Sequence, residues 1–254
     1  MIEILFLLAL VFLIAILFYK QRRSSLEILQ VEEGQVEEQL SDLLNEQQPL
    51  VVRGVAPPKG LTRESLQKVE RLSQFSVGGQ PLEAVLATPA ILGSANGVPV
   101  LSREGREVLA TELSMKIWAD HVWLPRFSQT TWLGWLIGCM RTEVLLGGLG
   151  MHRTTATYTC VMPTEGVYTV SLLSRESESF LPAKWEYRYP GSLTPNDTPL
   201  VADLKYLDII VRPGTMLCLP PHTIVSIEPK GAEFAAAALV EYHELPSLLA
   251  KSFS

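Results

Sequence analysis

The chain has 254 residues, of which 47% are hydrophobic and 19% charged, and its formal net charge is −6, with a pI near 5.3. An acidic chain whose one dense basic cluster is Lys20, Arg22 and Arg23 lacks the concentrated positive surface that phosphate binding requires, which argues against nucleic acid as the main partner. Without its first apolar run, roughly 230 residues remain, enough for one well-cored domain.

The first element is the run Ile4 to Tyr19, which carries no charge, proline or glycine and ends abruptly at Lys20, Gln21, Arg22 and Arg23. A helix can bury such a run in lipid because its backbone groups bond to one another. With Met1 and Ile2 extending it and Lys20 reaching the interface, it approaches the roughly 20 residues of a span. Its Met-Ile-Glu start and Lys-Gln-Arg-Arg-Ser-Ser exit fit a retained anchor better than a cleaved signal peptide. Residues 1–23 are therefore expected to be a single-pass membrane anchor with its basic flank. Because Lys and Arg beside a span stay cytoplasmic, the N-terminus is expected outside and the C-terminal domain on the cytoplasmic side.

Residues 24–48 carry seven acids and no Lys or Arg, with Val36, Leu40 and Leu43 at helical spacing, which predicts an acidic helical stalk with one face docked on the domain. Residues 49–254 form the expected domain. It opens with a short strand from Pro49 to Val55. A helix N-capped by Thr62 follows, with Leu66, Val69 and Leu72 on one face, then a short helical piece over 82–86 and a helix from about Val108 to Asp120.

Past Trp132 the period changes. Candidate strands are Glu143–Leu146, Thr154–Val161, Val167–Leu173, Trp185–Tyr189, Tyr206–Val211, Met216–Leu219, Ile224–Ile227 and Phe234–Tyr242, separated by glycine, proline and polar breaks. Closely spaced short strands indicate a β-barrel or sandwich with helices packed in front of it. The three cysteines, Cys139, Cys160 and Cys218, lie in apolar surroundings and read as buried free thiols. Trp118, Trp123, Trp132 and Trp135 read as packing between helices and barrel.

Three segments carry a resemblance. Asn45-Glu46-Gln47-Gln48-Pro49-Leu50-Val51-Val52-Arg53-Gly54 runs an acidic helix into an apolar strand ending in Arg-Gly. Leu145-Leu146-Gly147-Gly148-Leu149-Gly150-Met151-His152 is a strand, a glycine turn and a histidine. Val211-Arg212-Pro213-Gly214-Thr215-Met216-Leu217-Cys218-Leu219-Pro220-Pro221 is a tight turn into a strand closed by two prolines. In this order they resemble the JmjC-like branch of the cupin superfamily. The resemblance implies a mainly β (α+β) fold, a double-stranded β-helix with N-terminal packing helices, here behind one transmembrane helix.

The same resemblance implies Fe(II) held by a His-x-Asp/Glu pair and a distant His, with open positions for 2-oxoglutarate and oxygen. His152 matches the first ligand. Thr154 stands in place of the acid, Val225 in place of the second histidine, and Tyr168 in place of the basic residue that holds the 2-oxoglutarate carboxylate. His222 falls too early, and Thr215 replaces the aspartate after the Pro-Gly turn. Glu241 and His243, two apart on the last strand, face one side and with His152 could form an alternative metal triad. The expectation is a membrane-anchored, catalytically degenerate cupin/JmjC-like protein with no cofactor, acting as a structural or interaction subunit with protein partners. The alternative is an Fe(II)/2-oxoglutarate-dependent oxygenase, a protein hydroxylase with rearranged ligands. No Ser-His-Asp arrangement, phosphate loop or zinc-finger spacing is present.

Overall fold

In the computed structural model the described residues are 2–21, 27–68, 75–77, 80–88, 97–129, 138–231 and 234–252. Helix α1 (Ile2–Gln21) comes first, then strand β1 (Leu29–Glu32), helix α2 (Glu33–Asn45) and strand β2 (Leu50–Arg53). Helix α3 (Arg63–Lys68), the paired strands β3 (Ser76–Val77) and β4 (Gln80–Pro81), and helices α4 (Leu82–Ala87), α5 (Arg103–Glu112), α6 (Met115–Val122) and α7 (Leu124–Ser128) lead to the barrel. Its strands are β5 (Cys139–Leu146), β6 (Leu149–Arg153), β7 (Tyr158–Glu165), β8 (Tyr168–Leu173), β9 (Tyr206–Val211), β10 (Thr215–Leu219), β11 (Ile224–Pro229) and β12 (Ala236–His243), followed by helix α8 (Leu245–Ser252).

Strands β5–β12 alternate between two sheets, ordered β1-β2-β10-β7-β12-β5 and β6-β11-β8-β9. The antiparallel pairs β5/β12, β6/β11, β7/β10 and β8/β9 nest inside one another. The chain therefore runs out through β5–β8 and back through β9–β12, a long hairpin wound into two facing sheets. That is the double-stranded β-helix, or jelly roll. Pro213-Gly214 makes the turn into β10, with Gly214 at φ +86° and its carbonyl accepting from the amides of Gly54 and Val55.

Strand alternation divides the core in two. Val161, Tyr168, Val170, Leu172, Leu217, Val225 and Leu239 fill the space between the sheets. Side chains on the outer face of the larger sheet, among them Val144, Tyr158, Cys160 and Cys218, meet the helices through Leu40, Leu109, Trp123 and Phe127. The Phe127 ring stacks on Tyr158 and Tyr242, with centroids 5.8 and 5.5 Å apart.

Several expectations are corrected. The described residues 27–48 hold a strand as well as the expected docked helix: β1 pairs in parallel with β2, β2 pairs with β10, and Val36, Leu40 and Leu44 of α2 are buried in the helical core. The helix expected from Val108 to Asp120 is two helices, broken where Ser114 adopts φ +56°. Trp185–Tyr189 is no strand, because Tyr187 takes φ +61° and the segment instead arches over β6, with Tyr187 N–H donating to Met151 O at 2.9 Å. Cys139 is exposed at the start of edge strand β5, while Cys160 and Cys218 are buried neighbours across β7 and β10, with their sulfurs 2.9 Å apart. Thr62 caps α3 as expected, its Oγ1 accepting from Ser65 N–H, and Trp123 is fully buried. Trp132 and Trp135 lie outside the described residues.

Among the described residues no helix is long and apolar enough to cross a membrane. Within α1 the side chains described are residue 4 and residues 6–17. Phe6, Leu7 and Leu13 among them are exposed, and α1 runs beside α8.

Candidate functional site

His152 lies on β6, and its place there depends on two glycines. A Cβ on Gly150 would overlap the Tyr187 backbone, and one on Gly97 would do the same. Only bare backbone lets the 97–101 and 185–188 segments close down on β6, with Gly150 N–H donating to Gly97 O at 2.6 Å. The half-buried His152 has Nδ1 3.0 Å from the Gly150 carbonyl. A carbonyl only accepts, so Nδ1 carries the proton and Nε2 is the acceptor nitrogen of the neutral ring. Burial pushes the His152 pKa below its ordinary value, partly offset by the Gly150 hydrogen bond.

The register of β6 on β11 settles where the expected ligand positions fall. Val225 is directly opposite His152, so the place where the resemblance puts a second histidine does adjoin His152, and it holds an isopropyl group fully buried between the sheets. The Thr154 hydroxyl is committed to the neighbouring turn: it donates to Pro220 O at 2.8 Å and accepts from Thr223 N–H at 2.9 Å. His222 occupies that turn at φ +62°, its N–H donating to Thr154 O. Tyr168 is fully buried in the inter-sheet core. Its phenol, pushed well up by burial, has no hydrogen-bond partner.

The charged groups gather on the larger sheet, at the cavity that His152 also borders. Helix α5 lies along edge strand β5. Ser102 caps it by accepting from Gly105 N–H, and its Leu109 and Ala110 enter the helical core. Arg103 and Arg106, one turn apart on the helix, reach over the sheet edge to Glu143. Arg106 holds Glu143 Oε2 through Nε at 2.9 Å and Nη2 at 2.8 Å. Arg103 meets Glu143 Oε1 at 2.9 Å and Glu241 Oε2 at 2.8 Å. Burial raises the Glu143 pKa, opposed by the Arg106 and Arg103 charges. His243, almost fully buried, sets Nε2 3.2 Å from Glu241 Oε2.

These groups border a cavity of about 570 Å³ at the barrel mouth. The structure brings His152 and Glu241 to it, together with Arg103, Arg106, Glu143 and Thr159; Tyr168 and His243 are not on its wall. Leu149 and Leu239 give it an apolar floor, and Trp185 and Tyr187 a side. The two arginines were not singled out from the sequence. The signal for them was the Ser102-Arg103-Glu104-Gly105-Arg106 helix start, which has a cap and two bases at one-turn spacing.

The described residues do not fit an Fe(II) and 2-oxoglutarate site of the implied kind. Valine has no donor atom, the threonine oxygen is saturated by backbone, and the Glu241 carboxylate is already held by a guanidinium. Among the described residues no group of three His, Cys, Asp or Glu side chains is placed to hold a metal ion. The triad of His152, Glu241 and His243 thus reduces to two contacts, Glu241 with His243 and His152 with the shared cavity.

No known family matches the sequence, and no curated protein matches it. Among solved structures the chain is similar to Peruvianin-I, a cysteine peptidase from Thevetia peruviana latex, at 18% identity over 43% of this chain and 52% of that one, with a TM-score of 0.27. It is also similar to a cupin-2 domain protein from Shewanella frigidimarina, at 12% identity over 42% and 71% of the chains, TM-score 0.25. The Drosophila melanogaster CENP-C cupin domain gives 12% identity over 39% and 57%, TM-score 0.25. The chain spans about half the length of Peruvianin-I. Likenesses of this size carry no argument, and the fold rests on the nested strand order.

Proposed function

We propose that the chain is a membrane-anchored, catalytically degenerate cupin of the JmjC-like kind, serving as a structural or interaction subunit of a membrane-associated assembly. The observation that carries this reading is Val225 paired opposite His152, with the Thr154 hydroxyl bound to backbone: the scaffold is retained where the ligand chemistry is replaced. The anchor is supported by the uncharged run Ile4 to Tyr19 and its basic exit. The basic flank argues for the barrel on the cytoplasmic side. Protein partners and the absence of a resident cofactor belong to the same proposal.

Metal analysis of the purified full chain tests it. The expected result is no stoichiometric iron and an unchanged melting temperature on adding Fe(II) with 2-oxoglutarate. Stoichiometric iron that disappears in His152→Ala would establish the oxygenase instead. The tether is tested by membrane fractionation with and without residues 1–23, where release of the shortened chain to the soluble fraction is expected.

A further inference from the structure

Cys160 and Cys218 are the middle of a row across the larger sheet: Leu50 on β2, Cys218 on β10, Cys160 on β7 and Val240 on β12. All four residues are at most 1% exposed, on the face that meets the helices. Gly54 N–H donates to Gly214 O, which makes these two a hydrogen-bonded pair of β2 and β10. Hydrogen-bonded and non-hydrogen-bonded pairs alternate along antiparallel strands, so Leu50 and Cys218, four residues on, are again a hydrogen-bonded pair. A strand residue directs its backbone bonds to one neighbour, so Cys218 meets Cys160 as a non-hydrogen-bonded pair. Such pairs hold their α-carbons about 4.5 Å apart, inside the roughly 4.4–6.8 Å that a disulfide spans, and the two sulfurs lie 2.9 Å apart. Cys139 does not compete. It lies on β5, two strands from β7, and takes the other face, because Thr142, three residues on, stands in the Val240 row and successive side chains alternate.

We infer that Cys160 and Cys218 are a modification site, a dithiol that a small disulfide oxidant such as oxidised glutathione converts into a cross-strand disulfide when the larger sheet opens between β7 and β10. One cysteine thiolate attacks the oxidant and releases a first glutathione thiol. The other cysteine attacks the mixed disulfide, closes the Cys160–Cys218 bond and releases a second. Two protein thiols are oxidised, one disulfide is reduced to two thiols, and the two protons pass to glutathione. Exchange waits for opening because both thiols are sealed in the core, and burial pushes the Cys160 thiol well above its ordinary value, which keeps the reactive thiolate scarce. The same burial shields the finished bond from reductants. The bond joins residues 58 apart and encloses β8, β9 and the 185–188 arch over β6, so it ties one wall of the His152 cavity to the larger sheet. It goes beyond the structural-subunit reading and stands whether or not that reading holds.

The test holds the full chain in detergent with oxidised glutathione, in native buffer or at its urea midpoint, quenches it by alkylation and maps the cross-links by mass spectrometry of a non-reduced digest. At the midpoint Cys160–Cys218 is expected to be the main cross-link, formed at least about tenfold faster than in native buffer because the sheet then opens repeatedly. Returned to native buffer, the cross-linked chain should unfold at a urea concentration about 1 M above that of the reduced chain. Cys218→Ala should show neither the cross-link nor any difference between oxidised and reduced samples. Cys160 and Cys218 left open to alkylation at the midpoint, cross-links to Cys139 in equal yield, equally fast formation in native buffer, or a urea midpoint no higher than that of the reduced chain would each overturn the inference.

Discussion

The two sheets of the barrel follow opposite rules. On the smaller one, around β6, β8 and β11, polar atoms are absent, sealed or tied to backbone: Val225 faces His152, Thr154 closes the Pro220 turn, and Tyr168 is sealed among Val170, Leu172 and Ile227. On the larger one, at β5 and β12 with α5, Arg103, Arg106, Glu143, Glu241 and His243 touch one another. One sheet is held by apolar contact and the other by charge balance, so a substitution should report which sheet it sits on. The two meet at the cavity, which His152 and Glu241 both border.

The largest effect should come from the charged groups of the larger sheet. Arg106→Met leaves the Glu143 carboxylate buried with Arg103 as its remaining close partner, and a loss of about 3–5 kcal/mol is expected from urea unfolding. The double variant Arg106→Met/Glu143→Leu should recover most of it, since apolar replacement of a whole buried pair is often neutral or better. A single variant no worse than a surface change would show that the ion pairs do not organise this sheet edge.

A smaller effect is expected beside the smaller sheet. Thr154→Val keeps the shape but removes the hydroxyl that serves Pro220 O and Thr223 N–H, leaving the Thr223 N–H unsatisfied while Pro220 O keeps the Thr223 hydroxyl as donor. About 1–3 kcal/mol should be lost in the same measurement, and a change near zero would mean that the turn is held by its prolines alone.

The smallest effect is a pH dependence. Burial lowers the His152 pKa in the folded chain, whereas the unfolded chain titrates near its ordinary value of about 6.5. Above that pH both states are neutral and His152 contributes nothing to the slope. Below it the unfolded chain binds the proton first, so stability falls as pH drops, until the lowered folded pKa is reached. His152→Gln should flatten that part of the urea-midpoint profile, just below about pH 6.5. An unchanged slope would place the titration elsewhere.

Much of the barrel was readable in the sequence because its punctuation is chemical. Pro213-Gly214 can only turn, Pro220-Pro221 can only end a strand, and the β9 segment Tyr206–Val211 alternates as a half-exposed strand does. The chemistry at the positions that the resemblance assigns to ligands was readable for the same reason, since a valine or a threonine states its chemistry wherever it lies. Hidden were features made by distant partners. Nothing local to Arg103 indicates Glu241, 138 residues away, and residues 29–32 became a strand because β2 offered an unpaired edge. Nothing local to Gly97 or Gly150 likewise indicates the Tyr187 segment that lies on them.

The parallel pairing of β1 with β2 has a consequence for reach. Because β1 begins at Leu29, built into the larger sheet, the chain back to Gln21 spans at most about 28 Å even fully extended. Were α1 in a bilayer, as proposed above, the barrel would be on a short leash, patrolling a shallow layer above the lipid rather than the bulk. A partner fixed in that membrane would then meet it by lateral search at a local concentration set by the leash and not by expression level.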